Sequence, residues 1–326
     1  MHVLITGSSG QIGTNLGLSL LERGVQVTGV DIRPNTWTDR IPTLIQDLSL
    51  SVGHFQGGIG DLAYPDDIDV VVHLAAHAKV HQLVQLPHMA MENVMMTFNV
   101  LEYCRHHNLP IIYSSSREVY GDIQRYITEE SYADFAFTES PYSASKISGE
   151  AFVYSYAQCY DLRYLVFRFS NVYGRYDNDI ERMERVIPKF IRMIANDEQI
   201  TVYGEKKILD FTYVDDCVGG IISGIDLLVS GEDANHTINL AYGQGNSLIT
   251  MANHIAEALG KTANMEIEPS RVGEVTHYVA NIGKARSLLG YDPKMPLKEG
   301  IAAAVAWSTS WWAAQSAAVS GGSKQE

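Results

Sequence analysis

Cysteine is scarce in this chain of 326 residues, and long apolar runs are absent. The cysteines Cys104, Cys159 and Cys217 are far apart, and their spacing matches neither a disulfide framework nor a zinc site. The apolar runs end well short of the ~18 residues that span a bilayer. These absences predict a cytoplasmic protein with reduced thiols, no membrane segment and no bound metal.

Positive charge is scarce as well. Lys and Arg together number 24 against 38 Asp and Glu, which gives a formal net charge of −14. Nucleic acids attract basic patches, and the sequence shows none, so we expect no nucleic-acid partner. An anionic ligand must instead be met by a local group of arginines, lysines or helix N-termini. Hydrophobic residues make up 46% of the chain, which is enough for one large core or two smaller ones.

The first half of the chain contains a regular alternation of two patterns. Short β-branched runs predict strands at Val3–Thr6, Val25–Asp31, Ile68–Leu74, Pro110–Ser114 and Tyr164–Phe169. Longer amphipathic segments predict helices at Gln11–Arg23, Met89–His107 and Tyr142–Tyr160. Strands that alternate with helices indicate the α/β class, with a Rossmann-type doubly wound parallel sheet covered by helices on both faces.

The pattern changes after about residue 175, where the predicted strands become short and helices dominate. We predict a Rossmann domain at residues 1–174 and a smaller, mainly helical substrate-binding domain at residues 175–326. Residues 205–220 and 237–245 are expected to return to the first domain. The second domain should pack over the carboxyl ends of the strands, where open α/β sheets bind their ligands.

A glycine-rich turn joins the first predicted strand to the first predicted helix. Gly7 permits the tight turn, Gly10 lets the backbone approach a diphosphate, and Gly13 lets helix and strand pack closely. The helix start at Gln11 and Ile12 adds N–H groups and a favourable dipole. This strand–turn–helix context predicts a dinucleotide-binding loop.

Asp31 closes the second predicted strand. A carboxylate there accepts hydrogen bonds from the adenosine ribose and repels a 2′-phosphate, which favours NAD over NADP. Asp61 and Leu62 are candidates for binding the adenine amine, and a solvated loop aspartate is the alternative. The other predicted cofactor residues are Ile32, Arg33, Leu74, Ala75, Ala76, Lys79, Asn93, Ser114, Tyr142, Lys146 and Phe169.

Tyr142 and Lys146 lie one helical turn apart, on one face of a predicted helix. A nearby ammonium and a positive nicotinamide ring stabilise a phenolate, so we expect Tyr142 to act as a base near neutral pH. Lys146 is also expected to hold the nicotinamide ribose. Ser116 ends a serine run after an earlier predicted strand, and its hydroxyl can donate to the substrate oxygen that Tyr142 deprotonates.

The chain resembles the NAD-dependent epimerase/dehydratase family of extended short-chain dehydrogenases over nearly its whole length. The motifs that carry this resemblance are Gly7-x2-Gly10-x2-Gly13, His73-Leu-Ala-Ala76, Ser114-Ser-Ser-Arg-Glu-Val-Tyr-Gly121, Ser140-Pro-Tyr-Ser-Ala-Ser-Lys146, Arg168-Phe-Ser-Asn-Val-Tyr-Gly174, Asp210-Phe-Thr-Tyr-Val-Asp-Asp216 and Arg271-Val-Gly-Glu-Val-Thr276. The resemblance implies a tightly held NAD that takes a hydride from a nucleotide-linked sugar and returns it. It also implies a homodimer formed through the Met89–His107 and Tyr142–Tyr160 helices, although their apolar residues could equally all face the sheet.

The same resemblance implies roles for individual residues. Ser116, Tyr142 and Lys146 match the catalytic triad of the family. Asn93 matches a position that supports the lysine and an active-site water, and Asn171 and Arg271 match contacts to the substrate's diphosphate. The full set of expected substrate-binding residues is Ser116, Arg117, Glu118, Asn171, Arg185, Val186, Lys189, Tyr203 and Arg271.

Two departures from the family pattern concern the substrate. The family often carries an arginine that grips the diphosphate where this chain has Leu209, and the neighbouring pair Lys206-Lys207 is a candidate substitute. The loop after the Val-Tyr-Gly motif is rich in arginine. Planar guanidinium groups there suit a sugar carboxylate, or else form an ordinary charged helix face. These arginines are Arg175, Arg182 and Arg185.

Glu118 bears on the choice of reaction, because it lies two positions after Ser116 and dehydratase-like relatives carry their C5 base there. The acid that precedes this base in dehydratases acting at C6 is replaced by Arg117. The leading hypothesis is a 4-epimerase of UDP-hexose or UDP-hexuronate that acts through a transient 4-keto sugar. Its alternatives are a 4,6-dehydratase or UDP-uronate decarboxylase that uses Glu118, and a non-catalytic NAD-binding regulator. Glu118 as a structural partner of Arg117 or Lys79 also stays open.

Overall fold

A computed structural model describes residues 1–50, 65, 67–121, 130, 138–177, 185–231, 234–271 and 273–322, with side chains described as far as residue 315. Its strands are β1 (His2–Thr6), β2 (Gln26–Asp31), β3 (Thr43–Ile45), β4 (Val70–His73), β5 (Ile111–Ser116), β6 (Tyr164–Phe169), β7 (Asn171–Tyr173), β8 (Ile200–Tyr203), β9 (Ile208–Tyr213), β10 (His236–Leu240), β11 (Gly245–Ser247) and β12 (Met265–Glu268). Its helices are α1 (Gln11–Glu22), α2 (Val80–Gln85), α3 (His88–His107), α4 (Pro141–Tyr160), α5 (Val186–Ala195), α6 (Val214–Ser230), α7 (Leu248–Leu259), α8 (Gly283–Leu289) and α9 (Leu297–Gly322). A 3₁₀ turn at Arg117–Tyr120 follows β5.

Within the described residues, seven strands form a parallel sheet in the order β10-β6-β5-β4-β1-β2-β3. The prediction of a Rossmann-type α/β fold is therefore confirmed. The sheet is buried on both faces, because Val3 and Ile5 of β1 join one apolar core while Leu4 between them joins the other. This two-sided burial explains why the strands read as continuous apolar runs.

The order in which strands are added to the sheet switches sides at β1: β2 and β3 lie on one side of it, and β4 and the later strands lie on the other. Open α/β sheets bind ligands in the crevice outside the carboxyl ends of the strands at such a point. β5 and β6 run beside β4, and Ser116 pairs with Phe169 at their carboxyl ends. β5 extends two residues beyond the predicted strand, so Ser116 is part of the sheet rather than of the following loop.

The rest of the chain builds smaller sheets beside this edge. β9 pairs with β7 and β11, and β8 pairs with β12. β10 instead joins the large sheet beside β6, and α6 packs against α1. The division into domains at residue 174 stays a prediction. No helix in the described ranges is long and apolar enough to cross a membrane.

Candidate active site

A crevice of about 480 Å³ lies over the carboxyl ends of the central strands. Its wall brings together most of the predicted site residues from both halves of the chain. The predicted cofactor residues on this wall are Gly7, Gly10, Gln11, Ile12, Gly13, Asp31, Ile32, Arg33, Leu74, Ala75, Ala76, Ser114, Tyr142, Lys146 and Phe169. The predicted substrate residues on it are Ser116, Arg117, Glu118, Asn171, Arg185 and Val186.

Five predicted residues lie off the wall of this crevice, and they are Lys79, Asn93, Lys189, Tyr203 and Arg271. The Asn93 amide instead accepts from the backbone N–H of His77 at 2.7 Å and donates to Ser145 Oγ at 3.1 Å. It therefore ties the loop after β4 to the helix that carries Lys146. The guanidinium of Arg271 stacks on the ring of Tyr203, 3.9 Å from its centroid. Asp61 and Leu62 lie outside the described residues.

The glycine turn brings its backbone into close contact with neighbouring backbone. Gly7 has a φ of +73°, and a Cβ added to it would lie 2.8 Å from the backbone nitrogen of Ala75. A Cβ on Gly13 would lie 2.2 Å from the carbonyl oxygen of Gly7, so a side chain fits at neither position. Gly10 precedes α1, and no side chain caps that helix. Its first N–H groups can therefore donate to an anion in the crevice.

Asp31 lies at the carboxyl end of β2, beside this turn. One carboxylate oxygen accepts from the backbone N–H of Ser9 at 3.0 Å, and the other from that of Arg33 at 3.3 Å. The Arg33 guanidinium donates to the carbonyl of Ser9 at 3.0 Å. These bonds fix the carboxylate on the crevice wall, where ribose hydroxyls would be recognised.

The catalytic candidates are positioned by the start of α4. Ser140 and Ser143 form a reciprocal capping box, which fixes the first turn of the helix and with it Tyr142. One turn later the Lys146 ammonium donates to the carbonyl of Ser114 at 2.7 Å and lies 5.9 Å from the centroid of the Tyr142 ring. Both side chains are buried.

Burial dominates the titration of these groups. Burial raises the pKa of Tyr142 to about 12, while a hydrogen bond with Ser116 lowers it, the charge of Glu118 raises it, and the charges of Arg185 and Arg117 lower it. Burial likewise lowers the pKa of Lys146 to about 8, and the charge of Glu150 offsets part of this effect. Burial therefore works against the phenolate form of Tyr142, and a positive charge placed beside the ring favours it.

Glu118 is held by its neighbour in the chain. Its Oε1 atom lies 2.9 Å from the Arg117 guanidinium, and the side chain is only about 5% exposed. The Arg117 guanidinium lies 6.0 Å above the centroid of the Tyr278 ring. Its Nη1 atom is buried and has no hydrogen-bond partner among the described residues, although Arg117 lines the crevice.

A buried ion pair that the sequence did not predict supports the catalytic helix. Arg168 at the end of β6 donates to both carboxylate oxygens of Glu150 on α4, at 2.8 and 2.6 Å. Ser115 of β5 donates to the same carboxylate at 2.5 Å. Glu150 lies one turn after Lys146, so these bonds fix the two central strands and the catalytic helix relative to one another.

Of the charged residues expected around the substrate, some lie on the crevice wall and others lie away from it. Arg185 donates to the Gln11 side chain at 2.6 Å and lies 3.4 Å from Asp177, on the crevice wall. Arg175 pairs with Asp215 on the surface, and neither residue lines the crevice. Lys207 pairs with Glu274 at 2.6 Å, away from the crevice wall. Arg182 lies outside the described residues.

The sequence did not predict several further crevice residues. Some come from loops with no motif of their own, some lie inside the quoted motifs without having been singled out, and others lie on helices beside them. These further residues are Trp37, Gln46, Asp47, Leu48, Ser49, His77, Ala78, Val80, Glu92, Met96, Ser115, Ser170, Val172, Tyr173, Tyr176, Asp177, Ile187 and Phe211. His77 and Glu92 form an ion pair at 2.7 Å when the imidazole is protonated. In the described ranges no cluster of three or more His, Cys, Asp or Glu residues is suited to hold a metal ion.

Comparison with known proteins agrees with this geometry. A model of the NAD dependent epimerase/dehydratase family matches residues 3–241. The chain belongs to this family. NAD is its cofactor, and the uncapped helix start, the glycine turn and the fixed Asp31 carboxylate suit that dinucleotide.

Individual relatives cover nearly the whole chain of this family member. A UDP-glucuronate 4-epimerase of Thermodesulfobacterium geofontis is 29% identical, over 94% of this chain and 96% of the relative. A UDP-glucuronic acid decarboxylase of Xenopus tropicalis is 28% identical, over 92% of this chain and 70% of the relative. The crystal structure of the UDP-glucuronic acid 4-epimerase of Bacillus cereus, in complex with UDP-glucuronic acid and NAD, is 26% identical, with a TM-score of 0.82 over 95% of this chain and 100% of that one.

Proposed function

We propose that this family member is a 4-epimerase of UDP-hexose or UDP-hexuronate that acts through a transient 4-keto sugar. The observation that carries the proposal is the complete Ser116–Tyr142–Lys146 set on one crevice wall, together with the pairing of Glu118 to Arg117. The similarity to UDP-glucuronate 4-epimerases supports UDP as the nucleotide. An isomerase needs no acid at C6, and this chain has Arg117 where such an acid would lie.

The residues have distinct tasks in this proposal. Bound NAD supplies the acceptor and donor of the hydride at sugar C4. Tyr142 takes the proton of the O4 hydroxyl and returns it to the epimer, and Ser116 donates a hydrogen bond to the same oxygen. Lys146 places a positive charge beside Tyr142, and its bond to the Ser114 carbonyl fixes that charge. Arg185, which bridges to the start of α1, is a candidate contact for the diphosphate of the substrate.

A decarboxylase or dehydratase that uses Glu118 at C5 is the second candidate. Glu118 lines the crevice, and a UDP-glucuronic acid decarboxylase is among the relatives. Its carboxylate already binds Arg117, however, and Arg117 has replaced the partner acid of the dehydratases. Sequence identity does not separate the two candidates, because 28% and 29% are equivalent.

Isotope exchange separates them. The purified enzyme with its NAD is incubated in D₂O with UDP-glucose, UDP-galactose or UDP-glucuronate, and the products are analysed by NMR. We expect the C4 epimer of at least one sugar, with no deuterium at C5 and no carbon dioxide. Deuterium at C5, an accumulating keto-sugar or released carbon dioxide would favour the Glu118 reaction. NAD binding without turnover of any nucleotide sugar would favour a regulator.

We also propose that two copies of the chain associate through α3 and α4. Met91 of α3 is 63% exposed and Phe152 of α4 is 36% exposed, although both helices also contribute to the core under the sheet. Large apolar side chains left exposed on neighbouring helices are typical of a contact surface. The cytoplasmic location stays a prediction.

A further inference from the structure

Four aromatic residues from three separate segments meet at the rim of the crevice. The Trp37 ring lies 4.9 Å from that of Trp311, 5.7 Å from that of Trp307 and 5.9 Å from that of Tyr176, measured between centroids. Tyr176 also contacts Trp307 at 5.5 Å. We call these four residues the aromatic bridge. Trp37 and Tyr176 line the crevice, while the two α9 tryptophans lie behind them.

The bridge joins two loops that contribute to the wall of the crevice. Trp37 belongs to the loop after β2, which begins beside Asp31 on the adenosine side. Tyr176 lies in the segment 175–177, here called the strap. The strap crosses the start of α1, because Asn15 donates to the carbonyl of Arg175 at 3.2 Å and Asp177 pairs with Arg185, which donates to Gln11.

The backbone of the strap is strained at Tyr176. Tyr176 has a φ of +58°, in the left-handed region that residues with a Cβ avoid. Such a conformation persists when surrounding contacts over-determine it. The contacts of its ring with Trp37 and Trp307 are contacts of this kind. Weakening the bridge should therefore release the strap toward an ordinary backbone conformation.

The base of α9 is anchored without the cofactor. Ile301, Ala304 and Val305 are buried in the main core. Gly300 packs so closely on Tyr173 that an added Cβ would lie 2.1 Å from its hydroxyl. Trp307 and Trp311 follow one turn apart, with their rings stacked at 5.9 Å and nearly parallel. The α9 end of the bridge is therefore fixed in the core, and Trp37 and Tyr176 connect it to the loop after β2 and to the strap.

We propose that Trp307 and Trp311 are positioning residues for the cofactor, which act through Trp37 and Tyr176 to hold the loop after β2 and the strap over NAD and so slow its release. Neither α9 residue needs to contact the dinucleotide. The inference depends on NAD as the cofactor and not on which sugar reaction follows. Failure of the proposed 4-epimerase activity would leave it standing.

The test measures cofactor release from the purified holoenzyme with no sugar present. Released NAD is reduced by an excess of ethanol and alcohol dehydrogenase, and the absorbance of NADH gives the dissociation rate. We expect Trp307→Ala and Trp311→Ala to release NAD roughly tenfold faster or more, because a loss of contacts around a bound ligand mainly increases its dissociation rate. Trp311→Phe should restore most of the retention, and Thr309→Ala, at an exposed position of the same helix, should leave it unchanged.

A spectroscopic reading distinguishes positioning from a purely structural role. The chain has 4 tryptophans, and three of them belong to the bridge, so tryptophan emission should change when NAD is added to the NAD-free protein. Trp37→Phe should remove most of that change. Two results would overturn the proposal. One is that Trp307→Ala and Trp311→Ala release NAD at the wild-type rate and differ only in a lower melting temperature. The other is that NAD leaves the tryptophan emission of the wild type unaltered. Should one of the two alanine variants not fold, the other provides the release rate, and Trp37→Phe provides the emission measurement.

Discussion

The Glu118 carboxylate lies 2.9 Å from the guanidinium of Arg117, the residue that precedes it. Both residues belong to the short 3₁₀ turn after β5, in which the backbone N–H of Glu118 donates to Ser116 Oγ at 3.2 Å. The turn therefore places the hydroxyl expected to touch the sugar and the carboxylate of the alternative reaction within three consecutive residues. The pairing gives Glu118 a structural role that does not require proton transfer at C5.

Glu118→Gln tests this assignment directly. Glutamine keeps an oxygen that can accept from Arg117 but cannot serve as a base. We expect 4-epimerisation to survive within roughly a factor of ten, whereas loss of a general base commonly costs roughly 10²–10⁴-fold. The measurement is kcat on the preferred UDP-sugar, with Glu118→Ala as the comparison that also removes the bond to Arg117. A loss as large as that of Tyr142→Phe would show that Glu118 takes part in the chemistry.

Tyr142→Phe should strongly reduce turnover and leave the cofactor bound. Only a hydroxyl is lost, so we expect kcat to fall by roughly 10²–10⁴-fold while NAD still co-purifies. Tyr113→Phe is a matched control, because the centroid of the Tyr113 ring lies 5.2 Å from the Lys146 ammonium and the ring is also buried, but Tyr113 does not line the crevice. Near wild-type activity in Tyr142→Phe would remove this residue from the catalytic set.

The sequence predicts the parts of the site that depend on local backbone geometry. The glycine turn and the one-turn spacing of Tyr142 and Lys146 are such parts, since a turn type or a helix face is encoded in a few neighbouring residues. The pairing of Arg185 with Gln11 joins residues that meet only after β7 is placed beside the sheet. The approach of Trp37 to Trp311 likewise depends on tertiary packing, so no local pattern indicates it.

The expected contact of Arg271 with the substrate stays a prediction. Its expected role came from a motif match alone, and in the structure its guanidinium stacks on Tyr203 rather than lining the crevice. A motif places the backbone of a residue, but the direction of a long side chain is set by its neighbours. The same holds for Lys207, whose charge pairs with Glu274.

Stability should depend on pH through Lys146. Burial lowers its pKa from 10.5 to about 8, so between pH 8 and 10.5 the unfolded chain binds more protons at this residue than the folded one. The contribution of Lys146 to the free energy of unfolding therefore rises with pH across that window, by roughly 1–3 kcal/mol, and the buried charge is a constant cost below pH 8. Urea unfolding of the NAD-free protein at two pH values measures this.

Lys146→Met isolates the contribution of this one group. We expect the variant to gain stability over the wild type near pH 7.5, and this gain to shrink by pH 9.5 as the wild-type ammonium loses its proton. Lys206→Met is the control, since Lys206 is exposed and should show no such pH-dependent difference. An advantage of Lys146→Met that stays constant across the window would contradict the assigned pKa.

Association through α3 and α4 predicts a specific effect of charge at Met91. This side chain is 63% exposed, so Met91→Glu should not disturb the folded chain, but in a contact between two copies it would bury a carboxylate without a partner. We expect the dissociation constant of the dimer to rise about tenfold or more, equivalent to roughly 1.4 kcal/mol. Sedimentation velocity over a range of concentrations measures this dissociation constant.

Ile267→Glu on β12 is the matched control, since Ile267 is an apolar side chain 48% exposed on a different element. Dimers that resist Met91→Glu, or that dissociate equally with Ile267→Glu, would place the contact on another surface.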